Sequence, residues 1–304
     1  CWGCGLRIVV SGYAPVIKCS WCGAITKQKI IKDDDDKWLK WRWFRDRCFV
    51  AIIVLFMMLF ICGGIWAVYP IVFSVSYLFG VTQLTIATIL SILTLSSFSL
   101  AAFRPAGSPP AVVWGSYPAV EKGGLENHTF CHHCVKPKPP RAHHCRSCGT
   151  CILDMDHHCP FIGNCVGAAN HRSFILFLIF TVLSTVYIVI MASFSLFTIW
   201  PDKSPPPVRR RIQGGYARWV FGIVEGKAAG LLNSAVLLPV KGLVLVYMFM
   251  CSLSVGSGLS VLLWQQLSYV YAGKTYLSQL SGEEEEDEEE ASEKGWRNLY
   301  RFFG

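Results

Sequence analysis

All eight histidines of the chain fall between His128 and His171, and seven of its cysteines fall between Cys131 and Cys165. The pattern runs Cys131-x2-Cys134, then His144-Cys145-x2-Cys148-x2-Cys151, then Asp156-His157-His158-Cys159, then Cys165. Short cysteine spacings in a reducing, cytosolic segment point to zinc rather than to disulfides. A structural zinc takes four nitrogen or sulfur ligands in a tetrahedron. Two sites would use eight ligands; six cysteines and two histidines supply them, and one sulfur remains over. Cys159 is the informative thiol, because it stands beside His158, His157 and Asp156 and before Pro160. A free cysteine is only a few per cent thiolate at neutral pH. An imidazole that takes its proton, oriented by a carboxylate, would make it a nucleophile. On spacing alone the alternative stays open, that Cys159 or His157 is one more zinc ligand.

A second frame lies at the start of the chain, where Cys1-x2-Cys4 and Cys19-x2-Cys22 have the spacing of a small tetrahedral zinc site. With Tyr13-Ala14-Pro15-Val16 ahead of the second pair, this stretch resembles the plant lesion-simulating-disease type of zinc ribbon. A pair of disulfides is the competing reading. The first residue is Cys1 rather than Met, so an upstream segment is expected. Asp33–Asp36 reads as a solvated linker.

The elements that must hold these residues are apolar. Only 16% of the 304 residues are charged and 53% are hydrophobic, whereas soluble domains carry about 25% charged residues. No charged side chain occurs from Cys48 to Phe103, from Ser173 to Pro201, or from Gly242 to Gly273. A membrane-crossing helix needs about 20 apolar residues. The first stretch is long enough to cross twice, with the reversal expected at Pro70–Gly80. The fold class is therefore an α-helical polytopic membrane protein with four transmembrane helices, near 48–69, 81–103, 174–199 and 242–264. Gly63, Gly64, Ser254 and Gly258 are expected at close helix contacts.

Trp38, Trp41, Trp43 and Phe44, interleaved with Lys37, Lys40, Arg42, Arg45 and Arg47, suit a membrane interface on the cytosolic side. Against a span, this basic aromatic patch reads as an anchor and not as a nucleic-acid site. The N-terminus is then cytosolic, as are residues 104–173 and 265–304. The 200–241 connection is lumenal or extracellular despite its basic residues, and its apolar run Ala228–Val240 is too short to cross. Asn127-His128-Thr129, the only sequon, faces the cytosol and stays bare. Glu283–Glu290 is a block of like charge, read as solvated and disordered. The net charge of +8 leaves the remaining cytosolic surface basic, which suits anionic lipid headgroups. The expected domains are a zinc ribbon at 1–30, a juxtamembrane linker at 31–47, helices one and two at 48–103, and a cytosolic cysteine-rich domain at 104–173. The third helix at 174–199, the 200–241 loop, the fourth helix at 242–264 and a cytosolic tail at 265–304 complete the order.

Lys138-Pro139-Pro140-Arg141-x2-His144-Cys145, the Asp156–Cys159 tetrad, Asn164-Cys165-Val166-Gly167 and Asn170-x3-Phe174 resemble the Asp-His-His-Cys protein S-acyltransferases, the palmitoyltransferases. The resemblance implies two interleaved zinc sites. Cys131, Cys134, His144 and Cys151 would hold one ion, and Cys145, Cys148, His158 and Cys165 the other. It implies Cys159 as nucleophile, His157 as general base and Asp156 as the group that orients His157. The implied reaction moves a long-chain acyl group, such as palmitoyl, from acyl-CoA to Cys159 and then to a protein cysteine. The implied partners are acyl-CoA, the bilayer and membrane-associated protein substrates. The implied setting is an endomembrane of the Golgi, endoplasmic reticulum or plasma membrane type, with the active site facing the cytosol.

The chain departs from the family pattern in places. Phe161 and Gly163 stand where Trp and Asn are frequent, and Lys274-Thr275-Tyr276-Leu277 stands where the family has Thr-Thr-x-Glu. Arg104-Pro105-Ala106-Gly107 only loosely matches the family's Asp-Pro-Gly element. Gly295, Asn298 and Phe302-Phe303-Gly304 resemble part of its tail motif, which is expected to be truncated here. Two rival functions are weighed. A non-enzymatic, membrane-tethered zinc-binding interaction module accounts for the metal ligands but gives Cys159 no purpose. A transporter predicts ionisable residues inside the spans, where none occurs.

Overall fold

The computed structural model describes residues 1–8, 16–27, 36–109, 122–123, 125–126, 128–134, 136–199, 240–277 and 288–304. Tyr13–Pro15, Asp33–Asp35, Asn127 of the sequon, the basic connection from 201 onward with Ala228–Pro239, and Glu283–Asp287 lie outside the described residues.

Among the described residues, four helices are long and apolar enough to cross a membrane. They are α1 (Asp36–Val75), α2 (Tyr77–Phe103), α3 (His171–Ile199) and α4 (Val240–Tyr271). A last helix, α5, covers Glu288–Phe303. The described residues also form eight strands of three residues each: β1 (Val16–Lys18), β2 (Ile25–Lys27), β3 (Thr129–Cys131), β4 (Lys136–Lys138), β5 (His143–Cys145), β6 (Thr150–Ile152), β7 (His157–Cys159) and β8 (Asn164–Val166). Strands β3 to β8 all fall between the second and third spans. Strands β1 to β4 form one sheet in that order, while β5–β6 and β7–β8 are separate antiparallel hairpins.

The reversal after the first span falls inside the expected Pro70–Gly80 stretch, as a one-residue break and not as an open turn. Helix α1 runs through Pro70 to Val75, and Ser76 alone separates it from α2. A proline inside a helix removes one backbone hydrogen bond without obliging the chain to turn. Gly80 permits the tight return, since a Cβ there would lie 2.4 Å from the Phe73 ring.

The chain divides into two units. One comprises Phe56–Ile92 and Phe180–Ser260. Its core is Ala67, Val68, Ile71, Val72, Met191, Ala192 and Leu245. Gly64 lets Met248 approach, a Cβ there lying 3.4 Å from its Cε. The expected packing role of Ser254 and Gly258 is corrected: both are exposed, and nothing lies within 4 Å of a Cβ at Gly258. Gly256 makes the close contact instead, with a Cβ position 2.7 Å from Thr185 Oγ1. Two residues along α4 is about 200° of rotation, so Gly256 faces a neighbour where Ser254 and Gly258 do not.

The other unit comprises Cys1–Leu55, Leu93–Ile179 and Val261–Gly304. It contains every strand and all the candidate chemistry. Buried Asn170 ties it together: its amide donates to Ala101 O at 3.0 Å and Cys165 O at 2.8 Å, and its carbonyl accepts from Gly167 N at 3.0 Å. One side chain thus joins the end of α2, strand β8 and the start of α3.

Candidate active site and metal clusters

Strand geometry sorts the ligands. Successive side chains on a strand point to opposite faces. In the β5–β6 hairpin His144 pairs with Cys151, and both join Cys131 and Cys134 in one cluster. Cys145, the next residue on β5, points the other way and joins Cys148, His158 and Cys165. In the β7–β8 hairpin His158 pairs with Cys165, so both face that second cluster. His157 and Cys159, flanking His158, therefore share the opposite face. The interleaving follows from the two-residue period.

Donor separations fit zinc. Zinc–sulfur bonds of about 2.3 Å and zinc–nitrogen bonds of about 2.0 Å place sulfur and nitrogen about 3.5 Å apart across a tetrahedron edge. His158 Nδ1 lies 3.6, 3.4 and 3.5 Å from the sulfurs of Cys145, Cys148 and Cys165. His144 Nδ1 lies 3.6, 3.2 and 3.9 Å from those of Cys131, Cys134 and Cys151. His143, one residue before His144, is exposed and belongs to neither cluster. The Cys1, Cys4, Cys19 and Cys22 sulfurs form a third cluster.

Cys159 belongs to none of the three clusters, nor does His157. His157 Nδ1 donates to Asp156 Oδ2 at 2.7 Å, and His157 favours ionisation of the Cys159 thiol beside it. Burial pushes that thiol up, but His157 and the backbone N–H groups of Ile162 and Phe161 outweigh it and hold it below its ordinary value. Burial also lowers His157, yet Asp156 and Cys159 raise it to about 9. A thiol lowered beside an imidazole raised is the signature of a thiolate–imidazolium pair.

Asp156 is fully buried and its carboxylate is satisfied on both oxygens. Gln266 Nε2 donates to Oδ2 at 3.2 Å, and the Tyr276 backbone N–H donates to Oδ1 at 2.7 Å. Burial raises this carboxyl, but His157 and the Tyr276 N–H carry it below the usual carboxylate range. The Gln266 carbonyl pairs with His171 Nε2 at 3.2 Å, and Phe174 meets the His157 ring edge-on at 5.5 Å. Phe174 of α3 thus packs on the imidazole, and Gln266 of α4 holds the carboxylate that orients it.

The departures from the expected motif have local explanations. At Lys274–Leu277 the contact to Asp156 comes from the main chain, and Leu277 packs beside Cys145, Ile152, Met155 and Cys165 in place of a carboxylate. Gly163 turns the β7–β8 hairpin at φ +60, in the left-handed region that glycine and asparagine both tolerate. Ala106 O accepts from Ala169 N and Gly107 O from Leu153 N, each at 3.0 Å, so the Arg104–Gly107 element docks through its backbone. In the tail, Asn298 Nδ2 donates to Tyr271 O at 3.2 Å, Arg172 Nη2 donates to Phe303 O, and Phe302 packs edge-on to His171.

Reading the sequence missed Asp46. It is buried on α1, and its Oδ2 accepts from His158 Nε2 at 2.9 Å while Oδ1 accepts from Arg45 at 2.8 Å. A carboxylate on the outer nitrogen of a metal-ligating histidine fixes its tautomer and raises its basicity. A lone acid inside a basic, aromatic run approaching an apolar span was the available signal.

Residues 125–283 match the family model described as DHHC palmitoyltransferase. Among curated proteins, the chain is 32% identical to probable protein S-acyltransferase 16 of Arabidopsis thaliana, over 50% of this chain and 53% of that protein. It is 46% identical to probable protein S-acyltransferase 13 of Arabidopsis thaliana over 20% of each chain. It is 51% identical to palmitoyltransferase ZDHHC16B of Danio rerio, over 25% of this chain and 20% of that one. The matched region spans about half the length of the first of these relatives and about a fifth of the other two.

Proposed function

The chain belongs to the DHHC palmitoyltransferase family, and from that premise we propose that it is a protein S-acyltransferase working through a thioester on Cys159. The observation that carries this reading is the position of Cys159, outside every four-ligand cluster and on the same strand face as a histidine that is itself held by a buried aspartate. In the first step the Cys159 thiolate attacks the carbonyl carbon of an acyl-CoA, a carbon–sulfur bond forms, and the CoA thiolate leaves. His157, whose protonated form Asp156 stabilises, gives its proton to the departing CoA sulfur and is left neutral. In the second step a substrate thiol gives its proton to neutral His157, attacks the acyl-enzyme, and releases Cys159 as thiolate. One thioester replaces another each time, so no nucleotide is consumed.

Cys145, Cys148, His158 and Cys165 would hold a structural zinc that keeps β7 and β8 in the register turning His157 and Cys159 to one face, and Cys131, Cys134, His144 and Cys151 would hold the other. Membrane placement has an energetic basis. A chain of about sixteen carbons at about 0.8 kcal/mol per buried CH2 gains on the order of 10 kcal/mol in apolar surroundings, which exceeds the ~1 kcal/mol of a typical hydrogen bond to the headgroup. The acyl chain accordingly runs from Cys159 into the hydrocarbon layer, with the thioester at its cytosolic edge.

The test is labelling of purified full chain with an alkyne-tagged palmitoyl-CoA. Wild type acquires a hydroxylamine-sensitive label; Cys159→Ser acquires none and keeps its zinc. Persistence of the label in Cys159→Ser removes the nucleophile assignment, and no label on wild type favours a zinc-bearing interaction module.

A further inference from the structure

The sulfurs of the N-terminal cluster are placed as metal ligands and not as disulfides. Cys1 Sγ lies 3.6 Å from Cys22 Sγ, and Cys4 Sγ lies 3.7 Å from Cys19 Sγ. A disulfide requires about 2.0 Å. Four sulfurs about 2.3 Å from a tetrahedral zinc are separated by about 3.8 Å along each edge. All four sulfurs lie within 4.8 Å of one another, so the donor set and its spacing both suit the ion.

This cluster is continuous with the cysteine-rich domain. Strand β2 pairs in parallel with β3, with Ile25 opposite Thr129, so the β1–β2 hairpin and the β3–β4 hairpin make one sheet. Ile25 N donates to His128 O and Leu125 N to Cys22 O, both at 2.8 Å. Trp2 is buried against Phe130 of β3 at 5.4 Å between centroids, and its indole donates to Ile25 O at 3.2 Å. Trp2, Cys19, Cys22, Ala24, Leu125 and Phe130 share one core. Gly23 (φ +79) lets this turn pass the Glu126 backbone, where a Cβ would come within 2.9 Å. Strand β3 ends at Cys131, a member of the next cluster.

We propose that Cys1, Cys4, Cys19 and Cys22 bind a third, structural zinc whose purpose is to complete the sheet that positions Cys131, making the ribbon a built-in part of the cysteine-rich domain. Without that ion, the N-terminal segment, which supplies only Trp2, Cys19, Cys22 and Ala24 to that core, has too little apolar burial to fold alone. Strand β3 then becomes an unprotected edge, and the first ligand of the neighbouring cluster loses its support. The inference goes beyond acyl transfer and rests only on these thiols and this sheet.

The test uses the full chain in detergent, with zinc counted by mass spectrometry and backbone amides followed by hydrogen exchange. Wild type holds three zinc ions per chain. Cys19→Ser/Cys22→Ser holds two, and its residues 129–138 exchange at least tenfold faster while residues 157–166 are unchanged. Two ions in wild type, or an ion lost with 129–138 still protected, overturns the proposal. If the double variant does not fold, graded chelation of wild type decides the question. Residues 16–27 and 129–131 lose protection in one step if the proposal holds and in separate steps if it fails. Neither readout involves acyl transfer, so failure here leaves the assignment of Cys159 standing, and the reverse is equally true.

Discussion

The Asp46 carboxylate accepts a hydrogen bond from His158 Nε2 at 2.9 Å, across 112 residues of sequence. A membrane helix is thereby joined to the cluster that shares strand β7 with the candidate nucleophile. Losing such an outer partner typically costs 10- to 100-fold in metal affinity or activity. Asp46→Ala is therefore expected to release zinc to a colorimetric chelator about tenfold faster than wild type, with Asp46→Asn in between. Equal release rates for all three proteins would show that the contact does not support the cluster.

The pairing of Cys159 with His157 predicts a pH profile. With His157 raised to about 9 and Cys159 lowered, the pair is thiolate and imidazolium between the two values. Iodoacetamide should modify Cys159 at a lower pH than it does an ordinary thiol. In His157→Ala the burial that pushes the thiol up is no longer opposed by the imidazole. Its alkylation midpoint should move up. An unmoved midpoint would mean that His157 does not set the thiol's charge.

Tyr276 reaches Asp156 through its backbone N–H and not its ring. Tyr276→Ala should keep acyl transfer within about threefold of wild type, because the donor survives. Tyr276→Pro removes the donor and should lower the rate by an order of magnitude with zinc retained. Equal rates in the two variants would show that this bond does not organise Asp156.

At Gly163 the left-handed turn and the nearness of Val50 act together, since a Cβ would lie 2.8 Å from Val50 Cγ2. Gly163→Val should lower the thermal midpoint more than Gly163→Asn, by about 1–2 kcal/mol of conformational cost. Val50→Ala should restore part of the loss in both. Identical midpoints would place the constraint elsewhere.

Four apolar runs and the cysteine-rich segment between the second and third were legible because both are local in sequence: a span announces itself over twenty residues, and zinc ligands by their short spacing. The interleaving of Cys145 with His144, and of His158 with Cys159, depended on the family resemblance because strand alternation needs the hairpin register, which loop lengths alone do not fix. Asp46, Gln266 and Tyr276 were not legible for another reason. Each meets its partner across more than a hundred residues, and the Tyr276 contact is made by a main-chain atom that any residue but proline supplies. Ser254 and Gly258 were chosen by residue size, whereas the face of α4 that is packed was set by rotation around the helix and fell on Gly256.

Strand β7 carries two chemistries on opposite sides of three residues, and this fixes how the site can fail. A point substitution at Cys159 removes the proposed acylation and spares the metal cluster, whereas one at His158 takes both, because the cluster holds the strand. A single-residue insertion or deletion within the strand is different. It turns the imidazole meant for the metal toward the acyl group and the sulfur toward the metal, so both properties vanish together. Variation that alters length between Asp156 and Cys159 should therefore be absent from every active descendant of this chain, however freely its loops change size.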